Sequence, residues 1–227
     1  MTSSAELHER YETDGFALVE RAAAPEVAKN LLGIIHASMT LKPGMLKSFL
    51  SEPRVNEMPA YEFYGYRLPA VMAFHWGLTS RISDIAGKNL LPTYAFFRVY
   101  PKGDRCLIHT DRPSCEHSFS MALDYGDDVI WPLEIGDRFH EEREAADRPK
   151  AVDFEDDTYQ SVMLKPGDAI VYHGVNYRHG RSIPNPNRWS AHMFLHWVDA
   201  DGPFKDWAFD KKEFPTGTDF QFPDGDA

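Results

Sequence analysis

The chain has 227 residues, 43% hydrophobic and 26% charged, the balance of an ordinary globular protein with room for a sizeable core. A formal net charge of -11 lacks the basic footprint that binding to a nucleic-acid backbone requires. Two cysteines, Cys106 and Cys115, cannot make a disulfide scaffold, and the sequence shows neither a long apolar run nor a signal-peptide start, so a cytoplasmic protein that binds no nucleic acid and no membrane is expected.

Residues 3–12 read as a short helix with Ser3 or Ser4 as its cap. Gly15 to Glu20 reads as a strand. Pro25 opens a helix to about Met39, with Val27, Ala28, Leu31, Leu32 and Ile35 as its apolar stripe. Residues 40–66 are broken by glycine and proline. A second long helix is predicted over 69–86, where Val71, Phe74, Leu78, Ile82 and Ile85 recur at helical spacing and Gly87 ends the run.

After Leu91 the pattern becomes β. Thr93 to Tyr100 is rich in aromatic and β-branched residues. Further strands are expected at Arg105–Thr110, His117–Leu123, Val129–Ile135, Tyr159–Leu164, Asp168–His173 and Arg188–Val198. One domain is expected, with N-terminal helices over about 1–90 and a β core over about 91–198. Residues 136–158, with nine acidic and four basic side chains, read as an inserted solvated loop or short helix. The tail over 199–227 packs along the surface in this reading.

The most informative local feature is His109-Thr110-Asp111. Residues two apart on an extended chain share a side, so His109 and Asp111 can reach one metal ion. His173 and His179 follow the later GDAIVY segment, and either can supply a third ligand. Two imidazoles and one carboxylate on one face of an ion leave positions open, as non-haem Fe(II) oxygenases require. The same ligands serve zinc or manganese, and a plain surface pair at a turn is the competing reading. Arg188 opens the next strand-like run with Ser190 two residues on. Facing a pocket, the pair can clamp a carboxylate of a dicarboxylic co-substrate; facing out, Arg188 is simply solvated.

Other residues are assigned to the pocket by alternation. Tyr94, Phe96, Arg98 and Tyr100 share one side of their strand, and an arginine amid aromatics is unusual on a core face. Arg98, Arg112 and Trp131 are candidate substrate contacts, with packing, or an Arg112–Glu116 pair, as the alternative. Ser118 and Ser120 give their strand a small polar face that suits a cavity wall.

The segments IHTD, LKPGDAIVYHGVNYRHG and NRWS together resemble the Fe(II)- and 2-oxoglutarate-dependent dioxygenases, in the branch that contains prolyl 4-hydroxylase-like domains. The opening DGFALVERAAAPEVAKNLL is similar to that family's entry strand and first helix, and the resemblance covers roughly residues 13–198. It implies a mainly β fold with flanking helices, a distorted double-stranded β-helix (jelly roll, cupin-like). It implies His109, Asp111 and His179 as iron ligands, with His179 preferred over His173 because it precedes Arg188 by the family's usual spacing. It further implies Arg188, Ser190 and Tyr100 as contacts of 2-oxoglutarate.

The activity implied is hydroxylation of an unactivated C–H bond of a small-molecule or peptide-like substrate. Fe(II), 2-oxoglutarate and O2 are used, and succinate and CO2 are released. Asp111 occupies the position that halogenating relatives leave open, which argues against halogenation. The alternatives are a prolyl-type protein hydroxylase, a cupin-type metal enzyme without 2-oxoglutarate, and a non-catalytic β-sandwich binding protein.

Overall fold

A computed structural model describes residues 2–141 and 150–212. The chain begins with helix α1 (Ser4–Asp14), which Ser3 starts through a reciprocal capping box with Glu6 and Gly15 ends in the left-handed conformation. Strand β1 (Phe16–Val19) follows, then α2 (Pro25–Met39), with proline in its first turn as the sequence predicts. Ala28, Leu31, Ile35 and Met39 carry its buried face, whereas Val27 of the expected stripe is exposed. The helix expected over 69–86 is two helices, α3 (Pro69–Gly77) and α4 (Thr79–Ala86), joined at Leu78.

The remaining strands are β2 (Leu50–Ser51), β3 (Ala60–Tyr64), β4 (Leu90–Pro101), β5 (Cys106–His109), β6 (His117–Tyr125), β7 (Leu133–Phe139), β8 (Tyr159–Val162), β9 (Ala169–Tyr172), β10 (Tyr177–Arg181) and β11 (Trp189–Asp199). They form a seven-stranded sheet in the order β1-β9-β6-β11-β4-β3-β2 and a four-stranded sheet in the order β5-β10-β7-β8. All pairs are antiparallel. This is the expected jelly roll.

The larger sheet has two apolar faces, and strand alternation sorts them. On β11, Ala191, Met193, Leu195 and Trp197 join a core with Leu31, Ile35, Ile82 and Ile85 of the helices. The intervening Ser190, His192 and Phe194 turn inward, where Tyr100, Trp131, Ile135 and Tyr172 build a second core between the sheets. The helices therefore brace one face and leave the interior mouth to polar chemistry.

Both ends of β7 differ from the sequence reading by four residues. The strand expected at Val129–Ile135 starts at Leu133, just past Pro132, which has no N–H for a ladder. It runs on through Phe139 into the segment read as a loop. Of the rest of 136–158, Ala151 bridges Ile108 and Phe154 is buried, so these residues are packed against the barrel; 142–149 lie outside the described residues. The tail makes short 3-10 turns at Lys205–Lys211, and the part expected beyond 212 also lies outside them. No helix among the described residues is long and apolar enough to cross a membrane.

Several histidines are buried as neutral groups. Burial lowers His75 and His173 to about 4, and burial with nearby charges lowers His117 and His196 to about 3. Their folded values lie below their unfolded value, so between them the unfolded chain binds more protons. Stability is therefore full above about pH 6.5 and falls below it, by about 1.4 kcal/mol per pH unit for each histidine. The urea midpoint is expected to be clearly lower at pH 5 than at pH 7; equal midpoints would contradict this burial.

Candidate metal centre and its cavity

The site is assembled by one ladder register. Strand β10 pairs with β5 so that His179 lies opposite His109, and directly opposed residues of an antiparallel pair present their side chains on the same face. The two rings are 4.5 Å apart. Asp111 stands two residues past His109, with its N–H donated to the carbonyl of Gly174 at 2.8 Å. His109 Nε2 lies 3.5 Å from Asp111 Oδ1, and His179 Nε2 lies 3.4 Å from Oδ2. Ligand atoms of all three residues fall within 4.8 Å of one another.

The tautomers follow from the partners. His109 Nδ1 lies 2.7 Å from the carbonyl of Leu107, and His179 Nδ1 lies 2.9 Å from that of Tyr177. A carbonyl only accepts, so each Nδ1 carries the proton and each Nε2 presents a lone pair. Burial, with His179 beside it, holds His109 below its ordinary range. Two lone pairs and a carboxylate facing one another repel unless a cation stands between them. The donor set therefore fits a divalent metal ion, and its two-imidazole, one-carboxylate composition suits Fe(II).

Asp111 is also held from behind. Ser118 Oγ donates to its Oδ2 at 3.3 Å and lies 2.9 Å from His196 Nδ1. Ser120 is buried with no partner for its hydroxyl among the described residues and does not line the cavity. Asp111, Cys115 and His196 form a second close group. Burial pushes the Cys115 thiol well up, which keeps it protonated and a poor ligand. His173, the rival third ligand, stacks on Tyr11 with ring centroids 4.2 Å apart, outside the group. Gly174 packs close: a Cβ there would lie 2.4 Å from Ser118 Oγ and 2.8 Å from Asp111 Oδ2. Gly174→Ala is expected to displace Asp111 and lower metal affinity by about tenfold or more, in the range of other changes to ligand supports; a metal titration checks it.

The metal group opens into a cavity of about 250 Å3. Tyr94, Phe96, Arg98 and Tyr100 all line it, as alternation along β4 predicts. Arg98 is already matched, by Glu62 at 2.6 Å and by the Tyr100 hydroxyl, to which it donates at 3.1 Å. Arg112 stands at the mouth, 4.5 Å from the Tyr94 ring centre, and pairs with Asp210 rather than Glu116.

Three expected contacts are placed elsewhere. Arg188 is a correction: its side chain is 68% exposed and lies beside Asp127. It precedes the first residue of β11, so the ladder does not turn it inward. Ser190 is buried but bonds to Asn185 and Asn187. Trp131 does not line the cavity either; its indole N–H donates to the carbonyl of Ile183 and its ring lies 4.9 Å from the Arg181 guanidinium.

Arg181 is the residue that sequence reasoning missed. It follows His179 by two on β10, so it shares that histidine's face, and it lines the same cavity. It is 1% exposed. Its Nη2 lies 3.3 Å from His192 Nδ1, while Nε and Nη1 have no partner among the described residues. A buried guanidinium with orphaned donors is costly unless an anion completes it. The same spacing rule that joined His109 to Asp111 would have found it once β10 was recognised.

No family model and no curated protein matches the chain. Solved structures do. The chain is similar to the non-heme alpha ketoglutarate dependent carbocyclase SnoK from nogalamycin biosynthesis, with TM-score 0.69, 12% identity and coverage of 88% of this chain and 87% of that one. It is similar to a Pseudomonas putida prolyl-4-hydroxylase, with TM-score 0.57, 12% identity and coverage of 86% and 98%. HygX from Streptomyces hygroscopicus, solved with nickel and 2-oxoglutarate bound, matches with TM-score 0.58, 14% identity and coverage of 88% and 89%. The fold is thus the jelly roll that these proteins share.

Proposed function

We propose that this protein is an Fe(II)- and 2-oxoglutarate-dependent oxygenase that hydroxylates a C–H bond of a small-molecule or peptide-like substrate. The observation that carries this reading is the meeting of His109, Asp111 and His179 in one cavity with the buried, incompletely bonded Arg181. His109, Asp111 and His179 would hold the iron, and Arg181 would receive the distal carboxylate of 2-oxoglutarate as a two-pronged donor. Iron so held supplies the oxidation of a C–H bond by O2, coupled to decarboxylation of 2-oxoglutarate to succinate.

The chain's own residues bind and orient. The carbonyls of Leu107 and Tyr177 fix both imidazoles with Nε2 toward the ion. Ser118 steadies Asp111. Tyr100 and Trp131 flank the Arg181 guanidinium at 5.9 Å and 4.9 Å and keep water from it. A cupin-type enzyme without 2-oxoglutarate has no need of a buried guanidinium there. Asp111 in the ligand set favours hydroxylation over halogenation. Both cysteines are unpaired, which suits the reducing cytoplasm.

The test is anaerobic addition of Fe(II) and then 2-oxoglutarate. A visible charge-transfer band that needs both is expected, followed by succinate release once O2 is admitted. Iron-loaded protein that gives no band with 2-oxoglutarate would overturn the reading.

A further inference from the structure

The cavity is cationic in a chain of net charge -11. Its lining includes Arg54, Arg98, Arg112, Lys150 and Arg181 against the carboxylates of Glu62 and Asp111. Most of these charges have work already. Asp111 belongs to the metal group. Arg98 is matched by Glu62. Arg181 is the co-substrate's donor in the oxygenase reading, on which this inference rests. Arg112 shares its charge with Asp210 at 3.1 Å while remaining 44% exposed.

Arg54 and Lys150 are left over. Both are exposed, and both line the cavity. The Lys150 ammonium donates to the backbone carbonyl of Arg54, which brings the two residues together at one part of the rim. Among the described residues, neither has a carboxylate partner. Like charges held together at the rim of a low-dielectric cleft raise the local concentration of anions. Beside them, Tyr64, Tyr94 and Phe96 form an aromatic wall, with Tyr64 5.0 Å from Phe96 and 5.9 Å from Tyr94.

We propose that the substrate of this site is itself an anion. It carries a carboxylate or phosphate that Arg54, Lys150 and Arg112 hold at the mouth, while its apolar body lies against Tyr64, Tyr94 and Phe96. That placement puts the charged end at the rim and the body between the rim and the metal group, so the carbon presented for oxidation lies on the apolar part.

The test uses the full chain, loaded anaerobically with Fe(II) and saturating 2-oxoglutarate so that Arg181 is occupied. Phenylacetate, phenyl phosphate and neutral phenylacetamide are titrated by ligand-observed NMR. At least one of the two anions is expected to bind about tenfold tighter than the amide, and the tighter one names the headgroup. In the Arg54→Gln/Lys150→Gln variant, whose changes are on the surface and which keeps Arg112, that preference is expected to shrink to about twofold while amide binding persists. Equal binding of all three probes would overturn the proposal, as would an anion preference that survives undiminished in the variant. Failure to take up 2-oxoglutarate would strike the oxygenase reading instead. The rim's preference for anions would still be read in the same titration.

Discussion

Arg181→Met is expected to weaken 2-oxoglutarate binding by about 100-fold, the scale of a lost charge-assisted pair in a buried site, while Arg188→Met changes it by less than about twofold. The contrast follows from where each guanidinium sits. Arg188 is in solvent beside Asp127, where an ion pair contributes little. Arg181 is buried, stacked near Trp131, with Nε and Nη1 unfilled. The same change makes a second, opposite prediction about stability. Methionine removes an uncompensated buried charge and keeps much of the side-chain volume, so the metal-free variant should melt no lower than the parent. A structural arginine would give the reverse, a lower melting temperature with co-substrate binding largely kept. Anaerobic titration and thermal melting of the two variants separate these outcomes. Arg181→Lys retains the charge but not the two-pronged geometry, and it is expected to fall between parent and methionine variant.

Why Arg188 rather than Arg181 stood out in the sequence is a matter of local pattern. Strand β10 reads YRHGR, with a glycine and three basic or imidazole side chains in five residues, and nothing in that composition signals a strand. Its neighbours explain it. Gly180 lies so close to β5 that a Cβ would stand 2.6 Å from the Cys106 carbonyl, so the strand needs a residue without a side chain there. Arg178 is buried because Asp157 and the Phe154 carbonyl receive it, partners far away in sequence. Where a strand's two faces both carry polar groups, alternation has no contrast to show. On β4 the contrast is strong, and Tyr94, Phe96, Arg98 and Tyr100 could be placed on one face from sequence alone.

The helical half shows the same division. The α2 stripe and its proline start are local properties and were legible. The break between α3 and α4 was not: Gly77 ends α3 just before Leu78, but the apolar spacing of Phe74, Leu78 and Ile82 runs straight through it. Likewise, the pairing of Arg98 with Glu62 depends on β3 lying beside β4 in a fixed register, and residues 40–66 carry no periodicity that would announce that strand.

Asp111→Ala is expected to lower Fe(II) affinity by at least about 100-fold and to abolish turnover. The carboxylate is the anionic member of the proposed ligand set, and it meets both imidazoles at once. Without it, two neutral nitrogens remain to hold a divalent cation, and the charge compensation that favours the ion over water is gone. Asp111→Asn, nearly the same shape without the charge, should lose almost as much, which makes charge rather than packing the cause. Ser118→Ala removes only the hydroxyl behind the carboxylate, so its loss should stay near the lower end of the 10–100-fold range of outer-shell changes. Metal-dependent stabilisation provides a readout that needs no substrate. Added Fe(II), kept anaerobic, should raise the parent's melting temperature through ligand linkage and leave that of both Asp111 variants in place. If Asp111→Asn retained the parent's full metal-induced shift, the ion would be held elsewhere, and the two imidazoles paired across β5 and β10 would be no more than a buried structural pair.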